Sequence, residues 1–257
     1  MINLYQIITS IIIGIIEGIT EFLPISSTGH MIIASHYLQT NYDTTKILEI
    51  FIQLGSTLAA LYFFRQKIVI IIKNKIKHVI LSNLPIIFFG LIFYKQIKLL
   101  FNLENIIYGL ILGGLFLIFS EMFKPKKYII YNINNINLLQ AIIIGIFQIL
   151  SLYPGFSRSG STIATALLLG LKKSVAIEFS FIISIPLSIG IFLFEILNNM
   201  NNITRTDILI SFIGCLSSFV VSMLCIQFLL KILNKTSLIF FGIYRFIISG
   251  LIYFLNS

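Results

Sequence analysis

The chain has 257 residues, of which 58% are hydrophobic and 11% are charged, and its mean hydropathy is +1.01. This composition excludes the ordinary classes of soluble protein. The net charge of +9 does not indicate nucleic-acid binding, because the basic residues lie in short segments between apolar runs, as in the loops of membrane proteins. We therefore interpret the chain as an integral membrane protein surrounded by membrane lipids.

The chain opens with a short apolar segment, 3–16, that a polar cluster from Glu17 to His30 interrupts. Pro24 breaks the helix within this cluster, since proline lacks an N–H and clashes with the preceding turn. A second short apolar run, 31–38, follows. Neither run reaches the roughly 20 residues that a helix needs to cross a bilayer, so we predict a re-entrant helical hairpin.

Further along the chain, longer apolar runs predict six membrane-crossing helices, and a second polar interruption resembles the first. The predicted crossings are 46–64, 79–94, 105–123, 174–197, 208–230 and 236–255. A basic loop from Arg65 to Lys77 separates the first two. The second hairpin consists of the apolar run 138–153, the polar stretch from Tyr153 to Thr162, and the apolar run 163–171.

The two hairpins are related by a shift of about 131 residues, which indicates an internal repeat. The shift lays Gly14 on Gly145, Glu17 on Gln148, Ser26 on Ser157, Thr28 on Ser159 and Gly29 on Gly160. Each half, 1–127 and 128–257, then contains one hairpin and three spans. Because three is odd, the second half enters from the opposite side of the membrane, so the fold class is all-α with an inverted-topology repeat whose hairpin tips meet within the bilayer.

The distribution of Lys and Arg predicts the orientation of this arrangement. With the Arg65–Lys77 segment placed in the cytoplasm, twelve basic residues lie inside: Arg65, Lys67, Lys73, Lys75, Lys77, Lys124, Lys126, Lys127, Lys172, Lys173, Lys231 and Lys235. Four lie outside: Lys46, Lys95, Lys98 and Arg205. The excess of positive charge inside supports this orientation, in which the first hairpin enters from the outer side and the second from the cytoplasm.

The first hairpin carries candidate acid, nucleophile and metal-binding groups. Glu17 and Glu21 lie four residues apart, so on a helix they share one face, where two carboxylates either share a proton or hold a cation. Hydroxyl donors or a nucleophile are available from Ser26, Ser27 and Thr28, and His30 is a candidate proton shuttle. These groups are expensive to bury in lipid, which favours a functional role.

The second hairpin carries the complementary cationic group, Arg158. A guanidinium suits phosphate oxygens bidentately, and a helix starting near Ser161 adds its positive N-terminus. Further anion-binding groups are Ser157, Ser159, Gly160 and Thr162. Facing the two carboxylates, this cradle predicts metal-assisted phosphoryl hydrolysis.

The two motifs resemble the signatures of the bacterial undecaprenyl-diphosphate phosphatases. The first is Glu17-x-x-x-Glu21-Phe-Leu-Pro-Ile-Ser-Ser-Thr-Gly-His30, and the second is Pro154-Gly-Phe-Ser-Arg158-Ser-Gly-Ser-Thr162. Shorter similarities extend over the full chain, at Gln53-Leu-Gly55, at Glu178-Phe-Ser-Phe and at Tyr244-Arg245.

The resemblance implies an enzyme of the bacterial inner membrane that hydrolyses undecaprenyl diphosphate to undecaprenyl phosphate and inorganic phosphate on the periplasmic side. It also implies a role in peptidoglycan synthesis and cell shape, bacitracin resistance, and a required Mg²⁺ or Ca²⁺ ion. The implied catalytic residues are Glu21, Ser27, His30 and Arg158, with Glu17 and Glu21 as metal ligands. A homodimer is left open.

Four alternatives stay open at this point. The nucleophile is either Ser27 or His30. The carboxylates are either catalytic or simply bridged to Arg158, and each hydroxyl either binds substrate or caps a helix. A transporter or lipid flippase is the competing class of function, because inverted repeats and broken helices are also transport architecture.

Overall fold

The computed structural model describes residues 3–40, 42–199 and 204–256, and within them the regular structure is helical. The helices are α1 (Leu4–Thr20), α2 (Ser27–Tyr37), α3 (Tyr42–Ile92), α4 (Tyr94–Leu99), α5 (Leu103–Phe123), α6 (Leu138–Gln148), α7 (Arg158–Leu168), α8 (Lys173–Asn199), α9 (Arg205–Lys235) and α10 (Leu238–Asn256). Short 3₁₀ turns at Ile133–Asn135 and Ile149–Leu152 flank α6.

Five helices in the described part of the chain are long and apolar enough to cross a membrane. They are Ile47–Ile92, Leu103–Phe123, Lys173–Asn198, Arg205–Lys235 and Leu238–Asn256. Two shorter apolar helices, Leu4–Thr20 and Leu138–Leu152, are the leading arms of the two predicted hairpins. The chain is therefore an all-helical, multi-pass membrane protein, as its composition predicts.

The predicted basic loop from Arg65 to Lys77 is wrong, because that segment is helical and lies within the first of these spans. The apolar part of α3 has 46 residues, and at about 1.5 Å per residue it is roughly twice as long as a bilayer is thick. Its backbone leaves the helical region at Lys75, with φ −134° and ψ 20°. The segment contains four Lys, one Arg and one Gln, all good helix formers, and has neither Gly nor Pro, so the helix continues through the basic residues.

The helices that carry the polar motifs also begin and end away from the predicted positions. α1 extends past the expected 3–16 to Thr20, so Glu17 lies within the helix and Glu21 at its C-cap. Asn3 starts α1 in a reciprocal capping box with Gln6. α7 begins at Arg158 instead of near Ser161, because the side chain of the preceding serine already caps the first turn.

Each leading arm packs against a long helix that is distant in sequence: α1 lies along α9, and α6 lies along α3. The approach of α1 is close, since a Cβ at Gly14 would lie 2.6 Å from the carbonyl oxygen of Gly214. α5 packs along α10. The two motifs are thereby held between helices from both halves of the chain.

An aromatic cluster anchors the chain beside the first motif. Phe22 is fully buried, and its ring centroid lies 5.5 Å from that of Phe181 in α8. Phe181 stacks in turn on Phe64 of α3, at 6.2 Å. Because Phe22 directly follows Glu21, burial of the ring fixes where the carboxylate emerges from the core.

Candidate active site

The two turns that break the hairpins, 21–26 and 153–157, have matching local geometry; we call them the first tip and the second tip. Each ends in a serine with a positive φ, 71° at Ser26 and 75° at Ser157. Each serine side chain caps the next helix, accepting a hydrogen bond from the N–H of Gly29 at 3.3 Å or of Gly160 at 3.1 Å. Positive φ is uncommon for residues other than glycine and costs energy, which is characteristic of functional turns.

Glu21 and Arg158, 137 residues apart in sequence, form an ion pair between the two hairpins. One carboxylate oxygen of Glu21 contacts Nη2 of Arg158, and the other accepts a hydrogen bond from Ser27 Oγ at 2.6 Å. Arg158 Nη1 lies 3.4 Å from Ser188 Oγ on α8. The Glu21 and Arg158 side chains are 21% and 18% exposed, so the pair is shielded and still accessible to a ligand.

The ion pair lies in a cavity of about 280 Å³ between the tips, α3 and α8. Seven of the residues singled out in the sequence line it: Glu21, Ser26, Ser27, Thr28, Ser157, Arg158 and Ser159. Apolar side chains complete the wall, among them Leu152, Leu187 and Ile191. The lining places the Arg158 guanidinium beside several hydroxyls, which suits the oxygens of a phosphate group, and it also contains Lys98 and the carboxylates of Glu21, Glu49 and Glu195.

Glu17 lies behind this cavity and does not line it. Its side chain is fully buried, and Oε1 accepts a hydrogen bond from Ser56 Oγ at 2.9 Å. Oε2 has no hydrogen-bond partner among the described residues. A buried carboxylate oxygen without a partner is costly, so this atom requires a proton or a cation.

The residues present fit a divalent cation that takes only part of its coordination from the protein. No group of three or more His, Cys, Asp and Glu side chains able to hold a metal occurs in the described part of the chain. Mg²⁺ is commonly held by one or two carboxylates together with waters and substrate phosphates. Glu21 lines the cavity, and Glu17, one helical turn earlier, has an unpartnered oxygen, so these two carboxylates would be the protein's ligands to such an ion.

His30 also lies outside the lining, and both of its ring nitrogens are engaged. Nδ1 lies 2.8 Å from the carbonyl oxygen of Ser26, and Nε2 lies 2.9 Å from the hydroxyl of Tyr244. A carbonyl oxygen can only accept, so Nδ1 carries the proton and Nε2 of the neutral ring accepts from Tyr244. The imidazole thus braces the first tip against α10.

The remaining predicted residues divide between the cavity and the scaffold. Thr28 faces the cavity, where its Oγ1 accepts a hydrogen bond from Gln53 Nε2 at 3.1 Å. Ser159 lies 3.2 Å from the Ser157 hydroxyl. Thr162 does not line the cavity: its hydroxyl bonds the Arg158 carbonyl oxygen at 3.0 Å. Gly160 contributes its N–H to the cap.

Sequence reasoning missed the role of Arg245, which connects the two tips. Its side chain is fully buried in α10, its Nε donates to the carbonyl oxygen of Pro24 at 2.9 Å, and its Nη1 donates to that of Phe156 at 2.8 Å. Nη2 has no hydrogen-bond partner among the described residues. A charged residue inside a predicted span was the available signal, but its partners are backbone atoms, which no side-chain pattern reveals.

The fold and the cavity define a class: a multi-pass helical membrane protein with a cavity between two interrupted helices that contains carboxylates, a guanidinium and hydroxyls. The chain belongs to the bacitracin resistance protein BacA family, whose model matches residues 10–251.

Curated relatives agree with this assignment. The chain is 65% identical to an undecaprenyl-diphosphatase of Buchnera aphidicola subsp. Acyrthosiphon pisum (strain Tuc7), over 100% of both chains. It is 64% identical to the protein of that name from strain 5A, also over the full length of both. It is 53% identical to one from Buchnera aphidicola subsp. Schizaphis graminum (strain Sg), over 99% of this chain and 100% of the relative.

Proposed function

We propose that this protein hydrolyses undecaprenyl diphosphate to undecaprenyl phosphate and inorganic phosphate. The observation that carries the proposal is the ion pair of Glu21 with Arg158 in a hydroxyl-lined cavity. Membership of the bacitracin resistance family and the full-length similarity to undecaprenyl-diphosphatases supply the substrate. The reaction recycles a lipid carrier for peptidoglycan synthesis and confers bacitracin resistance.

Substrate binding exchanges one partner of Arg158 for another. The guanidinium, held by Glu21 in this structure, turns its fork to the oxygens of the diphosphate. The N–H groups at the start of α2 and α7 lie beside the same cavity and favour negative charge there. Arg158 then stabilises the charge that develops on the phosphoryl oxygens in the transition state.

The geometry favours Ser27 over His30 as the nucleophile. Ser27 lines the cavity and already donates its hydroxyl proton to Glu21, whereas both ring nitrogens of His30 are engaged outside the lining. Glu21 accepts the Ser27 proton as Oγ bonds to the terminal phosphorus and the bridging P–O bond breaks, releasing undecaprenyl phosphate. Glu21 gives this proton to the departing undecaprenyl phosphate oxygen and then deprotonates a water molecule that attacks the phosphoserine. The second proton passes to Ser27 Oγ as its bond to phosphorus breaks and inorganic phosphate leaves.

Glu17 and Glu21 hold the divalent cation, Mg²⁺ or Ca²⁺, in this proposal. The bound ion supplies neutralisation of charge on the phosphate oxygens. Binding is measured without turnover by electron paramagnetic resonance of Mn²⁺ added to the purified protein. We expect Glu17→Gln to weaken Mn²⁺ binding and the exposed Glu104→Gln to leave it unchanged; equal binding by the two variants contradicts this ligand set.

The membrane arrangement we propose has six crossings and two re-entrant hairpins. The break at Lys75 divides α3 into two spans, 42–74 and 76–92, and the other four long helices supply the rest. α2 and α7 have 11 residues each and begin 131 residues apart, at Ser27 and Arg158, in agreement with an inverted repeat of 1–127 and 128–257.

We further propose that the protein lies in the bacterial inner membrane with its cavity open to the periplasm. Lys98, on the side of the predicted topology that is poor in Lys and Arg, lines the cavity. A cysteine replacing the exposed Lys95 should react with a membrane-impermeant maleimide added outside intact cells. Labelling only after cell lysis contradicts this orientation.

The decisive experiment measures phosphate release by purified protein in detergent, where no movement across a membrane can contribute. We expect release from undecaprenyl diphosphate with Mg²⁺ or Ca²⁺, at least about 100-fold loss in Arg158→Ala, and wild-type rates in Arg205→Ala, whose side chain is exposed. If the wild-type protein releases no phosphate, the phosphatase assignment is wrong. Movement of undecaprenyl phosphate across vesicles by such a protein would assign a flippase instead.

A further inference from the structure

A second cation, Lys98, lines the cavity that contains Arg158. Lys98 of α4 pairs with Glu195 of α8 at 3.5 Å, and its Nζ lies 4.3 Å from the ring centroid of Tyr94. The Lys98 side chain is 34% exposed and that of Glu195 is 15% exposed. Lys98 and Glu195 line the cavity that contains Arg158.

The wall between the two cations is one face of α8. Ser188, Ile191 and Glu195 line the cavity at helical spacing. Ser188 accepts from Arg158, and Glu195, seven residues further on, pairs with Lys98. At about 1.5 Å per residue these two anchoring points are separated by roughly 10 Å along the helix, which is longer than a single phosphate ion.

Lys98 also borders a second, larger cavity of about 860 Å³, which we call the vestibule. Lys98, Glu49 and Phe101 line both spaces, so the two cavities adjoin at these residues. The vestibule has polar groups suited to an anion: Ser35, His36, Gln39, Thr40 and Asn102. The buried hydroxyl of Ser35 has no hydrogen-bond partner among the described residues.

Lys98 therefore lies where the cavity that contains Arg158 adjoins the vestibule. Phosphate released beside Arg158 is negatively charged, and the apolar walls of the cavity have a low dielectric constant. A single cation would therefore bind the product strongly and retain it. With a second cation at Lys98, the phosphate is attracted to two positions, Arg158 and Lys98, and is held less tightly at the first. Glu195 neutralises Lys98 when no anion is present, so an arriving anion has to compete with this carboxylate for the ammonium group.

We propose that Lys98 forms an exit site for inorganic phosphate between the catalytic cavity and the vestibule. The proposal deepens the phosphatase assignment and rests on it only for the source of the phosphate. Lys98 acts by binding the product, and Glu195 competes with phosphate for its ammonium group.

The test is titration of purified protein with inorganic phosphate, followed by ³¹P nuclear magnetic resonance at low ionic strength. We expect Lys98→Met to raise the dissociation constant about three- to tenfold, and Glu195→Gln to lower it about twofold or more, because removing the competing carboxylate frees the ammonium group. Lys95→Met, which removes an exposed charge from the same helix, should leave it unchanged.

Opposite changes of the dissociation constant in Lys98→Met and Glu195→Gln distinguish a phosphate-binding site from a structural ion pair. Equal affinity in wild type and Lys98→Met, or a change of the same sign in Lys98→Met and Glu195→Gln, overturns the exit site. Because the titration needs no turnover, these results do not depend on phosphatase activity. If phosphate binding requires Lys98 but the protein does not hydrolyse the lipid diphosphate, the phosphate site at Lys98 is supported and the phosphatase assignment is wrong.

Discussion

The guanidinium of Arg245 donates a hydrogen bond from Nε to the carbonyl oxygen of Pro24, 221 residues earlier in the chain. A second bond, from Nη1, reaches the carbonyl oxygen of Phe156 on the other tip. Among the described residues Arg245 forms no ion pair, so its hydrogen bonds are made with backbone atoms of the two motifs. One buried side chain thereby connects the two tips, beside the Glu21–Arg158 ion pair.

The first prediction concerns this connection. Arg245→Met removes both bonds, each worth about 1–3 kcal/mol when a buried partner is left unsatisfied, and lets the tips separate. We expect kcat to fall about 10- to 100-fold, since small misplacements of reacting groups are costly, with Arg245→Lys retaining part of the activity. Steady-state kinetics and thermal unfolding check this; a variant that loses stability but keeps the wild-type kcat contradicts a positioning role.

A second prediction tests the space that receives Arg245. A Cβ at Gly113 would collide with Nη1 of Arg245 and lie 2.5 Å from the carbonyl oxygen of Phe156. Gly113→Ala should therefore destabilise the protein by about 1–3 kcal/mol through overpacking. Gly250→Ala is the matched control, because a Cβ there meets nothing within 4 Å, and it should be neutral or stabilising by up to about 1 kcal/mol. Equal melting temperatures for the two variants would contradict the packing.

The third prediction distinguishes the two candidate nucleophiles. Ser27→Ala should abolish phosphate release and any trapped phosphoserine, because its hydroxyl is the cavity-lining group that donates to Glu21. His30→Ala should slow the reaction through a displaced first tip and still permit phosphorylation of Ser27. Rapid quenching with radiolabelled substrate followed by mass spectrometry measures both. A phosphohistidine at His30 would reverse the assignment.

The fourth prediction concerns the contact that orients His30. Tyr244→Phe removes the hydroxyl that lies 2.9 Å from Nε2 while keeping the aromatic ring. We expect a two- to fivefold decrease in kcat, about the effect of one neutral hydrogen bond on positioning, with KM nearly unchanged. Tyr253→Phe alters an exposed residue of the same helix and serves as the control. A larger change in KM than in kcat would place Tyr244 in substrate binding.

Local sequence predicted the first of the two tips well, since its signals act over a few residues. Pro24 stops α1 at Thr20, and Ser26 supplies a cap for the next helix. The prediction of a loop at Arg65–Lys77 was wrong because the basic residues were interpreted as the end of a helix, although Lys and Arg are good helix formers. Arg158 was expected outside the helix start near Ser161 and instead opens α7.

Sequence by itself determined that this is a helical membrane protein with two polar interruptions that carry acids, hydroxyls and an arginine. Those features follow from composition, from proline and capping chemistry, and from the cost of exposing backbone in lipid, all of which act locally. Only the tertiary structure decided that Glu21 pairs with Arg158, that Glu17 stays behind the cavity, and that Arg245 joins the tips. These relationships depend on how helices more than a hundred residues apart pack together, and backbone carbonyl acceptors leave no trace in the order of side chains.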